Sequence, residues 1–351
     1  MAPVQYAKDQ PAGFKNRIEK VAIVGAGGTM GRYTVAELRK TGRHTITALT
    51  RAGSNHTLPE GVAASVVVDY DDHDGLVAAL RGQDFLMITL SVRAPPDTSN
   101  KLVAAAAAAG IKYVMPNVYG SNPLNAPMFD DMGFGPAYRT SMATMQAAGL
   151  QPIVLACGFW YEFSLGGGDS RYGFDLVHRK VTWLGDGNVP IYTSTWPQCG
   201  RAVAALLDLP VLPTDAADTR PTLSSFAAPN VAYITSFHVS QRDMYESIKR
   251  VTGTTDADWP AKHEDAQARW ANASKALQAG GGVQLDGTTP LPAFEAFVQR
   301  MYSRIFFPGG DGVTPEQIVN KKLGLPEEDL DEWTRAAVRI ATNNELATYG
   351  Q

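Results

Sequence analysis

Apolar positions in the first half of the chain alternate between two periods. Short solid apolar runs at 21–24, 64–68, 85–90, 111–115 and 152–156, and a β-branched run at 45–50, predict strands. Between them lie stretches with apolar residues at helical spacing. Residues 29–41 carry Met30, Val35 and Leu38, with Arg39 and Lys40 near the end and Gly42 as the stop. Asp74 is read as the cap of a helix carrying Leu76, Val77 and Leu80. The alanine-rich stretch 98–109 and residues 137–148, with Pro136 as a first-turn residue, complete the set.

Alternation of strands and helices predicts an α/β fold, a Rossmann-type doubly wound parallel sheet with helices on both faces. Such sheets bind ligands at the carboxyl ends of their strands. After residue 163 the alternation fades. Strand-like pieces at 180–184 and 232–236 mix with helices predicted at 198–207, 241–252, 261–279, 292–305 and 328–341. The expected organisation is a loose arm over 1–19 and a Rossmann domain over 20–160. A smaller, mostly helical substrate region over 161–351 follows, partly threaded back into the sheet.

The chemistry begins at the first strand. Val24 runs into Gly25-Ala26-Gly27-Gly28-Thr29-Met30-Gly31, a G-x-x-G-x-x-G turn that opens a helix. Gly25 permits the tight turn, Gly28 gives a pyrophosphate close access to the backbone, and Gly31 lets helix and strand approach. Free N–H groups of the first helical turn then face the phosphates, as in dinucleotide sites. Arg51 ends the second strand, where NAD-preferring proteins place an acid for the ribose 2′-hydroxyl. A guanidinium there suits a 2′-phosphate, so the expected cofactor is NADP(H). Asp69, at the end of strand three, is placed near the adenine, and Ser91 along the cofactor groove.

Composition narrows the function classes. A net charge of −4 with no basic block gives no reason to expect nucleic acid. The longest apolar stretch, 102–109, is far short of a membrane span. Two cysteines, Cys157 and Cys199, and six unclustered histidines show no metal spacing. A reduced, soluble, cytoplasmic protein with a small-molecule substrate is expected; oligomeric state is not readable.

On residues 21–32, Arg51, 84–91, 112–120 and 149–159, the chain resembles the NmrA-like family, atypical short-chain dehydrogenases that include the isoflavone reductases. The resemblance implies an NADP-binding first domain with Pro116 beside the cofactor and Phe159 bordering the nicotinamide. It also implies small-molecule, often secondary, metabolism. Reductases of this family use a lysine near the position of Tyr138, but no lysine lies between Lys112 and Lys180. Neither Tyr119 nor Tyr138 has a lysine four residues on.

The replacement candidates are Tyr138, its phenol lowered by neighbouring Arg139, and Asn117 and Tyr119 as hydrogen-bond donors. Met128 and Phe129, on a long apolar loop over 121–136 read as a lid, join Tyr119, Phe159, Trp160 and Tyr161 as substrate-facing candidates. Three functions follow: an NADPH-dependent reductase, a non-catalytic NADP(H) sensor that binds a protein partner, or a redox-neutral isomerase or cyclase that retains the cofactor.

Overall fold

A computed structural model describes residues 5–54, 56–91 and 94–346. The first strand, β1 (Lys20–Val24), is buried from Val21 onward, as a central strand covered on both faces must be. It is followed by α1 (Thr29–Thr41), β2 (Thr45–Arg51), β3 (Val62–Val68), α2 (His73–Leu80), β4 (Phe85–Ile88), α3 (Thr98–Ala108) and β5 (Tyr113–Met115). These strands and Gln151–Pro152 form one six-stranded sheet, all pairs parallel, in the order β3-β2-β1-β4-β5-(151–152). The order reverses beside β1, which places the switch point at the carboxyl ends of β1 and β4.

The local signals act as expected for α1. Met30, Val35 and Leu38 face the core, and Gly42, at φ 64°, ends the helix with its N–H on the Arg39 carbonyl. For α2 the cap is Asp72 rather than Asp74. Its carboxylate accepts from the Gly75 N–H, three residues on, so Asp74 falls inside the first turn.

Three differences arise from tertiary pairing. The stretch 121–136 is not an open loop. It holds α4 (Ala126–Met132), capped by Asn125 and stopped by Gly133, before α5 (Gly135–Ala147). Met128 and Met132 are buried in the C-terminal core instead of covering a groove. Residues 261–279 do not form one helix. Ala261–Glu264 pairs in parallel with Lys180–Leu184, and Asp265 caps a helix that starts only at Ala266. The sixth strand is split, with Gln151–Pro152 on β5 and Leu155–Ala156 on Tyr119–Gly120.

The far edge of residues 151–156 is covered by residues 227–234. Ala228, Ala232 and Ile234 donate to the carbonyls of Pro152, Val154 and Ala156, each at 2.9 Å. The helix Trp196–Asp208 packs on α1, where Gly200 allows the approach: a Cβ there would lie 2.6 Å from the Tyr33 carbonyl oxygen. The N-terminal arm is tied down by the Ala7 N–H on Pro213 and by Asn16 on both backbone groups of Leu212. Among the described residues no helix is long and apolar enough to cross a membrane.

Candidate functional site

At the end of β1 the chain turns at Gly25, φ 80°. A Cβ there would lie 2.2 Å from the Thr89 carbonyl oxygen. Thr89, just past β4, locks the strand ends by donating its hydroxyl to the Val24 carbonyl at 2.7 Å. The Gly28 N–H closes the turn on the Gly25 carbonyl at 2.9 Å. Gly28 is also the N-cap of α1; among the described residues no side chain caps that end, which carries no acid in its first turn. The partial positive charge of Thr29, Met30 and Gly31 is therefore left for an anion.

The glycines divide the work. At Gly31 a Cβ would sit 2.1 Å from the Gly25 oxygen, so this position sets the approach of helix to strand. At Gly28 only that same oxygen lies near, at 3.2 Å, leaving the side toward a ligand open. Gly27 faces His56 and Thr57, an approach the sequence did not signal.

Arg51 ends β2 with an exposed side chain, and among the described residues no carboxylate is paired with it. Arg32 lies over the Tyr33 ring, 5.1 Å from its centroid. The Asp69 carboxylate accepts from the Asp71 N–H at 2.9 Å, which makes it a turn cap. Ser91 is exposed beyond β4, and Pro116 is buried after β5.

Asn117 and Tyr119 reach back across the strand ends. The Asn117 amide donates to the Leu90 carbonyl at 3.1 Å, and the Tyr119 hydroxyl to that of Ile88 at 3.0 Å. Burial pushes the Tyr119 phenol well above its ordinary pKa. Tyr138 is half-buried on α5, edge-on to Phe129 at 5.5 Å. The expected depression of its phenol is not present. Arg139 is paired with Asp130 at 2.9 Å, and burial raises the Tyr138 pKa.

The remaining substrate candidates divide between two cores: Phe159, Tyr161, Met128 and Phe129 sit with the C-terminal one and Trp160 with that of the Rossmann sheet. Phe159 stacks on Tyr302 at 4.3 Å, and Trp160 packs against Phe163 and Trp196. Tyr161 is fully buried, its hydroxyl 2.7 Å from that of Thr334. Met128 and Phe129 lie in the same buried cluster as Tyr161. The structure thus brings the glycines and Thr89 together at the carboxyl ends of β1 and β4, with Arg51 at the end of the adjacent β2. Of the aromatic candidates, Phe129, Phe159 and Tyr161 fall in the C-terminal cluster, while Tyr119 and Trp160 pack on the core beneath β1.

One buried group escaped the sequence reading. Glu162 is 1% exposed, with one oxygen accepting from the Trp196 N–H at 2.9 Å and the other without a hydrogen-bond partner among the described residues. Its only sequence signal is an acid inside the apolar run 159–165. Burial pushes its pKa up to about 8. Between its ordinary value and that one, the unfolded chain releases a proton that the folded chain keeps, so stability falls as pH rises. Glu162→Gln removes that dependence. The variant is expected to be more stable than the parent at pH 8, on the order of a few kcal/mol, with the gap closing toward about pH 5. Urea midpoints at the two pH values check it; a constant gap would rule it out.

Among the described residues no cluster of three His, Cys, Asp or Glu is placed to hold a metal ion. Residues 25–154 match the NAD(P)H-binding family. The oxidoreductase aprR of Aspergillus flavus is 26% identical over 320 residues, covering 89% of this chain and 96% of the relative. Two solved structures share the fold over nearly their whole length. Isoflavone reductase has a TM-score of 0.66 at 19% identity, covering 90% of this chain and 98% of that one. Leucoanthocyanidin reductase of Vitis vinifera, solved as its binary complex with NADPH, has a TM-score of 0.67 at 16% identity, covering 91% and 99%. Residues 25–154 therefore match an NAD(P)H-binding domain, and the chain as a whole has the fold of isoflavone reductase and leucoanthocyanidin reductase.

Proposed function

We propose that this protein is an NADP(H)-dependent oxidoreductase that acts by hydride transfer on a small apolar or aromatic substrate. The observation that carries the proposal is the N-terminus of α1 behind three glycines, with no side-chain cap among the described residues, and the exposed guanidinium of Arg51 at the end of the adjacent strand. The family match and the oxidoreductase relative support the broader reading, an NAD(P)H-dependent oxidoreductase.

The residues present fit the dinucleotide. Gly25, Gly27 and Gly28 keep the turn clear of side chains, and the amides of Thr29, Met30 and Gly31 would hold the pyrophosphate. Arg51 would hold the 2′-phosphate, with Asp69 toward the adenine. Ser91, Pro116 and Phe159 would line the groove toward the nicotinamide. The cofactor, when bound, supplies the hydride. The protein orients the substrate and donates a hydrogen bond to the group that gains charge. Tyr138 is the proposed donor, with Asn117 and Tyr119 fixing the strand ends beside it. Residues 20–160 serve the cofactor and residues 161–351 the substrate, with Phe159 and Trp160 between them.

Calorimetry with NADP+ and NAD+ tests the cofactor reading: tighter NADP+ binding is expected, and no heat from either ends the proposal. Tyr138→Phe is expected to lower kcat by roughly a hundredfold while leaving NADP+ affinity unchanged. Unchanged kcat removes Tyr138 from the mechanism. One observation favours a second reading. The lysine position holds Tyr138, and the adjacent Arg139 is engaged by Asp130, which suits a non-catalytic NADP(H) sensor. A sensor would bind both redox forms without turnover and change affinity for a protein partner between them.

A further inference from the structure

A cleft of about 470 Å3 opens between the 186–192 segment, His238 and the loop 309–313. One wall is a ring pair. Tyr192 and His238 are opposed across antiparallel strands, and their rings stack at 4.1 Å and 12°. Val189, Pro190 and Val313 add apolar surface, and Asp186 lies among the lining residues with its carboxylate accepting from the Asn188 N–H at 2.9 Å.

Asp311 also lines this cleft and is only 7% exposed. Its position is fixed from behind. Asn122 and Asn125 both donate to its backbone carbonyl, at 3.3 and 3.1 Å. One carboxylate oxygen accepts from the Val313 N–H at 3.0 Å. The other has no hydrogen-bond partner among the described residues. No lysine or arginine lines the cleft, and the His238 ring lies flat on Tyr192 with no hydrogen bond to Asp311 among the described residues.

The Asp311 side chain is mostly buried yet lines the cleft, so its unfilled carboxylate oxygen is open to a molecule bound there, and a charged N–H donor makes the strongest hydrogen bond to it. An ammonium beside a tyrosine face gains further attraction from the ring, and the paired rings offer flat surface for the carbon body. We propose that this cleft binds a small primary ammonium compound, with its N–H groups on Asp311 and its carbon body against Tyr192 and His238. Occupancy depends on the cleft alone and not on the dinucleotide, so failure of NADP+ to bind would leave it standing.

The test is calorimetry of the full chain with 2-phenylethylammonium and its uncharged analogue 2-phenylethanol. The ammonium is expected to bind at least tenfold more tightly than the alcohol. Asp311→Asn is expected to lower ammonium affinity at least tenfold and to leave alcohol binding unchanged. Thermal unfolding of the variant establishes that it is folded; should it not be, Tyr192→Leu supplies the second arm, again with weaker ammonium binding expected. Equal binding of the two compounds by the unmodified chain, no ammonium binding at millimolar concentration, or an undiminished affinity in a folded variant each overturns the proposal.

Discussion

Arg51→Glu is expected to weaken NADP+ binding by about a hundredfold or more while NAD+ binding holds or improves. Charge-assisted hydrogen bonds contribute roughly 1.5–3 kcal/mol each, and about 1.4 kcal/mol is a tenfold change in affinity. Two such bonds from a guanidinium to a phosphate would give more than a hundredfold, but Arg51 is exposed and solvent screening reduces the sum. The reversed charge adds repulsion toward the 2′-phosphate. On the NAD+ side the same carboxylate can accept from the ribose hydroxyl. The discrimination should narrow as salt is raised, since the contact is at the surface. Calorimetric titration of both dinucleotides decides it; equal loss of both would show that position 51 does not read the phosphate.

Gly31→Val should remove binding of both dinucleotides and destabilise the fold. The added Cβ would lie 2.1 Å from the Gly25 carbonyl oxygen and 2.6 Å from the Ala26 Cα, both backbone atoms that cannot swing aside. Either α1 moves off β1 or the turn opens, at a cost of roughly 1–3 kcal/mol for overpacking of this kind. Two comparisons separate turn from fold. Gly42→Ala meets no neighbour and strains only a left-handed φ of 64°, so it should cost about 1–2 kcal/mol and spare binding. Gly28→Ala meets only the Gly25 oxygen, at 3.2 Å, a tight contact that a shift of a few tenths of an ångström relieves, so it should cost much less stability than Gly31→Val yet weaken binding. Thermal unfolding paired with calorimetry on the three variants reads both effects. Normal dinucleotide affinity in Gly31→Val would refute the assigned geometry.

What the sequence made legible was local. The turn at 25–31 needs only glycines between an apolar run and a helix start, and α1 carries its own stop at Gly42. The parallel order of the sheet follows from the alternation of elements. What it hid was set by distant partners. Residues 261–264 lie at the start of a helical pattern but are drawn into a strand by Lys180–Leu184, about 80 positions earlier. Asn117 and Tyr119 looked like free donors, and only the folded chain supplies the carbonyls of Leu90 and Ile88 that they bond. Arg139 looked like a cation for Tyr138 because they are neighbours in sequence; on a helix, adjacent residues diverge, and Asp130 takes the guanidinium.

The pairing of residues 227–234 along 151–156 has a consequence for anyone exchanging parts between relatives. A chimera joined near residue 160 inherits its terminal ribbon from one parent and the ribbon that shields it from the other. Mismatched sequences there would leave main-chain donors bare at the rim and invite self-association. Transplants of substrate preference should therefore keep both ribbons from a single parent, even though one of them lies some 70 residues beyond the apparent junction.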